Sequence, residues 1–235
     1  GGDAVFAGSV KQHQQPRLSL RAQPPRDRLS HSIATDRIAM KRMLLALMLG
    51  LSATSFAIAA APLPPESVLQ QPGSYTDQAG RNFQLADRRG HVQIVSMFYS
   101  SCTYTCPLMV DSALGVDHAL NPVERDALRF LLVSFDPQRD TPAVLDALAV
   151  KRHLDASRYT LARADDDSVR KFANLLGVRY RKLANGDFNH TTGLILLDAD
   201  GRILAKTDHL GAAPDPAFLA AVKAALDKPA QGAAP

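Results

Sequence analysis

The sequence predicts an α/β fold in which a mixed β-sheet carries helices on both faces and begins with an N-terminal hairpin. Two nearly continuous apolar runs, His91–Tyr99 and Leu128–Phe135, are typical of strands that are buried on both faces of a sheet. Each run is followed by a segment with helix-start signals, so strands and helices alternate along the chain. A tight turn at Asp198–Gly201 joins the last two predicted strands, which adds an antiparallel hairpin and makes the sheet mixed.

Local start signals place the other elements. Pro107 marks the start of the helix after the first buried run, because proline is favoured in the first turn, and apolar residues continue this helix as far as Leu120. Thr141 is the expected N-cap of the next helix. The remaining predicted elements, in chain order, are the hairpin Ser74–Leu85, the helix Thr141–Leu154, the strand Tyr159–Ala162, the helix Asp165–Leu176, the strands Thr192–Leu197 and Arg202–Lys206, and the helix Pro216–Leu226.

Composition divides the chain into four parts. Residues 1–39 are rich in Gln, Arg, Pro and Ser, so we expect them to be disordered and to be a translated extension upstream of a start at Met40. Residues 40–61 combine a short basic end, an uncharged apolar run and a small-residue tail, which is typical of a secretory signal peptide. A retained membrane anchor is the alternative, because the run approaches the roughly 20 residues that span a bilayer. Residues 62–228 form the predicted folded domain, and residues 229–235 form a loose tail.

The excess of basic over acidic residues is confined to the N-terminal part of the chain. The first 61 residues hold 8 Lys and Arg against 3 Asp and Glu, whereas the rest holds 19 against 20. The folded domain therefore has a net charge of −1, which argues against a nucleic-acid partner. Both interpretations of residues 40–61 place the domain in the periplasm or on the extracytoplasmic face of the inner membrane, with membrane contact only through an uncleaved leader.

Cys102 and Cys106 are the only cysteines, and they lie where a predicted buried strand passes into a helix. Two nearby cysteines in an exported protein usually form a structural disulfide. A bridge here would close a very small loop and would therefore stabilise the fold little. Ligands of open α/β sheets bind at the carboxyl ends of strands, and the helix N-terminus favours the thiolate form of Cys106. The pair is therefore predicted to bind a metal or to act as a redox couple.

The spacing of the cysteines is compatible with both roles. Three residues separate them, whereas dithiol oxidoreductases usually have two. Metal–sulfur bonds of about 2.3 Å allow two sulfurs to lie about 4 Å apart around one ion, against about 2.05 Å in a disulfide. The spacing alone leaves metal binding and disulfide exchange open.

His190 is the candidate third ligand. It lies in the predicted loop Asn185–Gly193, which leads into the last hairpin. In a thioredoxin-like sheet the corresponding loop carries a cis-proline that faces the cysteines, and this chain has no proline there, so His190 can take that place. The other histidines are interpreted as leader or surface residues: His13, His31, His91, His118, His153 and His209.

Three motifs in this order resemble the Sco/SenC family. Phe98–Pro107 contains a Cys-x3-Cys-Pro signature like that of the family, and Val133–Pro142 resembles its second block. Asn189–Thr192, followed by Leu197–Arg202, resembles its third block. The resemblance runs over about residues 75–226, which is nearly all of the predicted domain.

The resemblance implies a thioredoxin-like fold, an exported location and one bound copper ion, as Cu(I) or Cu(II). The implied ligands are Cys102, Cys106 and His190. The implied function is to deliver copper to, or to reduce the cysteines of, the dinuclear copper centre in subunit II of cytochrome c oxidase; another periplasmic copper protein or a thiol–disulfide partner is the alternative. Thr103 stands where the family usually has proline and Asn189 where it often has an acidic residue, and neither change removes a ligand.

The donor set agrees with copper. Two soft thiolates and an imidazole suit Cu(I), and the same set binds Cu(II) in trigonal sites, whereas zinc usually takes four ligands. Met97 and Met109 are interpreted as core residues rather than ligands. The segment Asp136–Pro142 is interpreted as a capped strand-to-helix connection, and the acidic run Asp165–Asp167 as a helix start rather than a calcium site.

Two functions from different classes remain open. The first is a metallochaperone, a carrier rather than an enzyme, in which the three ligands would hold copper and release it by ligand exchange. In a thiol–disulfide oxidoreductase, Cys102 would attack and Cys106 would resolve, and neither copper nor His190 would be needed. A peroxidase is less favoured, because the Pro and Thr that normally precede a peroxidatic cysteine are missing as a set, and a structural disulfide is less favoured because its loop is so small.

Overall fold

A computed structural model of the chain describes residues 61–102 and 105–228, and for Thr105 and Cys106 it describes the backbone alone. The predicted extension, nearly all of the predicted leader and the predicted tail lie outside the described residues. Within the described part, no helix is both long enough and apolar enough to cross a bilayer.

Nine strands and five α-helices make up the described domain. The strands are β1 (Tyr75–Asp77), β2 (Asn82–Phe83), β3 (Val92–Phe98), β4 (Leu128–Ser134), β5 (Tyr159–Ala164), β6 (Tyr180–Lys182), β7 (Phe188–His190), β8 (Leu194–Leu197) and β9 (Ile203–Thr207). The helices are α1 (Thr105–His118), α2 (Pro122–Ala127), α3 (Pro142–Lys151), α4 (Asp166–Leu176) and α5 (Pro216–Leu226). Two short 3-10 helices span Val68–Gln70 and Leu85–Arg88.

Seven strands form one mixed sheet in the order β2-β1-β5-β4-β3-β8-β9. β3, β4 and β5 are parallel, and they are joined through α1 and α3 in the crossovers that parallel strands require. On either side of these parallel strands, β1 pairs antiparallel with β5 and β8 pairs antiparallel with β3. β2 and β9 form the two edges of the sheet. The sheet is mixed and begins with the hairpin β1–β2, so the predicted fold class is confirmed.

Helices cover both faces of the sheet, and the alternation of side chains along β5 establishes this. On one face, Tyr159 of β5 stacks on Phe130 with ring centroids 4.1 Å apart. This face is covered by α1, and burial together with the Asp117 carboxylate of that helix raises the pKa of Tyr159. Tyr75 pairs in register with the β5 residue Ala164, which points to the opposite face from Tyr159. On that opposite face the Tyr75 ring meets Phe172 of α4 edge-on at 5.9 Å.

The helix starts follow from their capping residues. The Thr141 hydroxyl accepts the Val144 amide, and Pro142 opens α3 as predicted. Asp165 accepts the amides of Asp167 and Ser168 at the start of α4, so this acidic run caps a helix.

Three local predictions need correction. α1 begins at Thr105, two residues before Pro107, and ends at His118, so Leu120 lies beyond it. α3 ends at Lys151 rather than at the predicted Leu154, because His153 adopts a positive φ of 53°, which an α-helix does not contain. His190 lies in the short strand β7 rather than in a loop, because the segment pairs back on β6. The helix α2 was not predicted, since its six residues carry no apolar periodicity.

We expect Gly115→Ala to destabilise the domain by about 1–3 kcal/mol. Gly115 is buried in α1, and an added Cβ would overlap the backbone carbonyl group of Ala212. Helix propensity alone would stabilise the alanine variant by about 1 kcal/mol, so the sign of the change reports this close approach. Urea unfolding measures the difference, with Ala147→Gly on the exposed side of α3 as a calibration of propensity. A stabilised Gly115→Ala protein would contradict the packing.

Candidate metal centre

Cys102 lies in the turn after β3, at the edge where the carboxyl ends of β3 and β4 meet. Its amide donates to the Tyr99 carbonyl oxygen at 3.3 Å, and its side chain is half-buried. α1 begins three residues later, so the cysteine stands between a strand end and a helix start, as the sequence predicts. Cys106 is the second residue of α1, and its side chain lies outside the described atoms.

A buried carboxylate holds the turn in place. Asp140 has no exposed surface and lies in the connection between β4 and α3. It accepts the Ser100 amide at 3.0 Å, the Ser100 hydroxyl, and the Ser134 hydroxyl at 2.5 Å. A buried carboxylate is costly unless hydrogen bonds satisfy it, and here all three donors belong to the ends of β3 and β4. Asp140 therefore fixes the residue two positions before Cys102.

The same connection also reaches the hairpin that carries His190. The Arg139 guanidinium pairs with Asp136, whose side chain is 2% exposed, and donates at 2.6 Å to the carbonyl oxygen of Gly186 in the turn between β6 and β7. Adjacent residues of one short segment thus contact both parts of the candidate site, Arg139 on the hairpin side and Asp140 on the cysteine side.

His190 is held among aromatic rings. It ends β7, opposite Tyr180 of β6. Its ring centroid lies 4.9 Å from that of Phe135 and 5.8 Å from that of Tyr99, the latter in an edge-to-face arrangement. Phe188 closes the cluster, at 5.1 Å from Tyr99 and 5.0 Å from Phe135. These contacts bring a residue late in the chain to the turn that follows β3.

The hydroxyl group of Tyr99 connects the two parts of the site. Burial raises the pKa of Tyr99 to about 12, and the hydrogen bond that its hydroxyl donates to Cys102 acts in the same direction. The Phe188 amide donates to the same hydroxyl oxygen and opposes the rise in pKa. Tyr99 thus contacts Cys102 through its hydroxyl group and His190 through its ring, so both predicted ligands lie against one side chain.

The hydrogen bonds of His190 involve only one of its two ring nitrogens. Nδ1 lies 3.1 Å from the Thr191 carbonyl oxygen and 3.1 Å from the Thr192 hydroxyl oxygen. A carbonyl oxygen only accepts, so this hydrogen bond requires the proton on Nδ1 and leaves the lone pair on Nε2. Metal-binding histidines commonly donate their other N–H to a carbonyl group in this way.

The structure thus brings Cys102 and His190 to one aromatic cluster and places the backbone of Cys106 in the adjacent first helical turn. Among the described side chains, which do not include that of Cys106, no three of His, Cys, Asp or Glu form a cluster that could hold a metal. Met97 and Met109 are 2% and 0% exposed and belong to the core.

Sequence reasoning missed the roles of Asp140, Arg139 and Tyr99. The segment Asp136–Pro142 shows the expected cap at Thr141, but its contacts with Ser100 and Gly186 join residues that are 40 and 47 positions apart. No local pattern signals such a contact. The one local signal was Asp140 itself. Thr141 already serves as the N-cap of α3, so the acidic residue directly before it had no capping role to explain it.

The fold and the site define a thioredoxin-like protein with a cysteine turn at the carboxyl end of the parallel strand β3. A model of the SCO1/SenC family matches residues 63–227, and the chain belongs to this family. It is 24% identical over 135 residues to an SCO2-like protein of Rickettsia felis, a match that covers 54% of this chain and 63% of the relative. The chain therefore spans less than two thirds of that relative's length.

Two solved structures share the fold. ScoI of Bradyrhizobium japonicum with copper bound has a TM-score of 0.55 and 23% identity, over 66% of this chain and 97% of that chain. BsSco, a member of the Sco family of cytochrome c oxidase assembly proteins in which a disulfide switch was identified, has a TM-score of 0.56 and 22% identity, over 66% and 91%.

We expect Asp140→Asn to destabilise the domain by about 1–3 kcal/mol, because the amide offers a donor where three donors already point. Asp146→Asn on the exposed side of α3 is the matched control and should change stability little. Urea unfolding measures both variants. Equal stability of the two would contradict the role of Asp140 as the anchor of the turn.

We expect Tyr99→Phe to slow alkylation of Cys102 by iodoacetamide by about threefold to tenfold, because its thiolate loses one charge-assisted hydrogen bond. The measurement uses a Cys106→Ser background, so that Cys102 alone reacts. Tyr180→Phe removes a hydroxyl group from the same aromatic cluster and should leave the rate unchanged. Equal rates in both variants would show that the Tyr99 hydroxyl does not act on the sulfur.

Proposed function

We propose that this protein binds one copper ion through Cys102, Cys106 and His190 and passes it to a copper protein of the respiratory chain. The observation that carries the proposal is the contact of one side chain, Tyr99, with both Cys102 and His190. The Cys106 backbone in the first turn of α1 supports a third donor on the same edge of the sheet.

The chemistry of the donors supports copper as the cargo. Two thiolates and a neutral imidazole suit Cu(I), and they also serve Cu(II) in a trigonal arrangement. Half-burial of Cys102 and His190 leaves the ion accessible for exchange with the thiols of an acceptor. Membership of the SCO1/SenC family and the likeness to copper-bound ScoI support the same metal.

We further propose cytochrome c oxidase subunit II as the acceptor, at the periplasm or the extracytoplasmic face of the inner membrane. The description of BsSco as a member of a family of cytochrome c oxidase assembly proteins supports this partner. Another periplasmic copper protein is the alternative acceptor. The signal-like pattern of residues 40–61 supports an exported location.

Thiol–disulfide exchange is the second candidate function. The hydrogen bond from Tyr99 to Cys102 stabilises a thiolate, which is the attacking form in such exchange, and the disulfide switch of BsSco is in keeping with it. In this alternative Cys102 attacks a partner's disulfide, a mixed disulfide forms, and Cys106 displaces the partner's reduced thiol. The two functions are compatible, because only the reduced pair can bind copper.

We expect His190→Ala to weaken Cu(II) retention by more than about a hundredfold, because loss of a ligand costs more than loss of a residue that orients one. This variant should still bind Cu(I) through the two thiolates, whereas Cys106→Ser should lose the binding of both Cu(I) and Cu(II). His209→Ala, which changes an exposed histidine after β9, is the control. Anaerobic loading followed by metal analysis and competition with a chelator measures retention.

Two outcomes would count against the metal assignment. Unchanged Cu(II) retention in His190→Ala would remove His190 from the site. Undiminished reduction of a model disulfide by His190→Ala, together with weak copper binding by the unaltered protein, would favour the oxidoreductase.

A further inference from the structure

A positively charged cleft adjoins the candidate metal centre. It has a volume of about 470 Å³ and lies between the β6–β7 hairpin, α4 and the connection after β4. Phe135 and Phe188 belong both to the lining of the cleft and to the aromatic cluster around His190. An occupant of the cleft would therefore lie beside the ligand that we propose for copper.

The positive charge of the cleft is not balanced by neighbouring acids. Its walls carry four cations and two carboxylates: Arg170, Arg179, Arg181 and Lys182 against Asp136 and Asp166. Asp136 is buried and already paired with Arg139, and the nearest partner of Arg170 is Asp167 at 3.4 Å. Within the described part of the chain, no ion pair involves Arg179, Arg181 or Lys182.

This local excess contrasts with the domain as a whole. Residues 62–235 carry a net charge of −1, so the unpaired cations of the hairpin are concentrated rather than typical of the surface. Unpaired like charges within a few residues repel one another and weaken the fold slightly, whereas they attract an anionic partner and speed its encounter.

The floor of the cleft is apolar. The rings of Phe135 and Tyr180 stack at 5.1 Å, and Lys182 lies 5.7 Å from the centre of the Phe188 ring. An apolar, aromatic floor with arginines at the rim is the composition that protein interfaces favour. A concave surface of this kind suits side chains that enter it.

We propose that this cleft, with Arg179 and Arg181 at its rim, docks an acidic segment of the protein that exchanges copper or disulfides with the metal centre. This inference rests on the proposed function. A partner in either exchange must bring its own sulfur or imidazole groups to Cys102 and His190, and a protein supplies them. Carboxylates on that protein would meet the arginines while its thiols reach the copper ligands.

The test compares two charge reversals on the full chain. Arg179→Glu/Arg181→Glu alters the cleft, and neither side chain contacts a proposed ligand in any described interaction. Lys223→Glu/Lys228→Glu makes the same change in net charge on and after α5, and Lys228 lines a cleft with Val92 at the amino-terminal end of β3. Arg179→Gln/Arg181→Gln serves as a milder version if the reversal disturbs the hairpin.

The probe is a synthetic peptide with a Cys-x3-Cys pair flanked by a run of Asp and Glu, and its partner peptide has Asn and Gln in their place. Stopped-flow measurement follows Cu(I) transfer from the loaded protein at low salt, about 20 mM, and at about 500 mM. We expect the cleft reversal to slow transfer to the acidic peptide by about tenfold or more at low salt and little at high salt. The control reversal should slow transfer less, and the amide peptide should receive Cu(I) at similar rates from both reversed proteins.

Each other outcome bears on a separate claim. Failure of the unaltered protein to load copper would overturn the proposed function, whereas normal loading with equal transfer rates in the two reversals would overturn the docking inference alone. Equal slowing with the acidic and the amide peptide would also overturn it, because acid recognition would then be absent. Cosedimentation with phosphatidylglycerol vesicles that requires Arg179 and Arg181, with unchanged peptide transfer, would assign the cleft to a lipid surface instead.

Discussion

The geometry of the candidate metal centre depends on one buried carboxylate. Asp140 collects three hydrogen bonds at the ends of β3 and β4, and so it fixes the turn from which Cys102 projects. Its neighbour Arg139 contacts the hairpin that carries His190. Strand pairing alone positions the cysteine turn only as far as Phe98, the last residue of β3. The β4–α3 connection supplies the remaining constraint on both parts of the site.

Cys102 and His190 are connected through an aromatic cluster rather than through shared backbone hydrogen bonds. Tyr99 follows β3 directly and presents its ring to His190 and its hydroxyl group to Cys102. Phe135 follows β4 directly and contacts the same histidine ring. Because β3 and β4 are parallel neighbours, their first residues beyond the sheet lie side by side and form a common platform. A hairpin with aromatic residues then packs on this platform.

Much of the fold could be predicted because its signals are local. The apolar runs of β3 and β4, the caps at Thr141 and Asp165, and the turn before β9 each lie within a few consecutive residues. The strand β7 could not be predicted, since three partly exposed residues carry no periodic pattern and pair only because β6 is opposite them. The proximity of Cys102 and His190 was predicted from the loop that carries a cis-proline in thioredoxin-like sheets and from the resemblance to the Sco/SenC family. The means of holding them together, through Asp140 and Tyr99, depends on contacts between distant residues.

The isolation of the β6–β7 hairpin has a consequence for ligand release. These strands form a separate two-stranded sheet, so no ladder hydrogen bond ties His190 to the seven-stranded sheet. Moving this hairpin outward would break the hydrogen bond from Arg139 to Gly186 and ring contacts worth about 0.5–1.5 kcal/mol each, while the seven-stranded sheet stayed intact. One of the three proposed donors thus lies on a hairpin that can move without disturbing the pairing of the central sheet. This attachment suits the proposed release of copper to an acceptor.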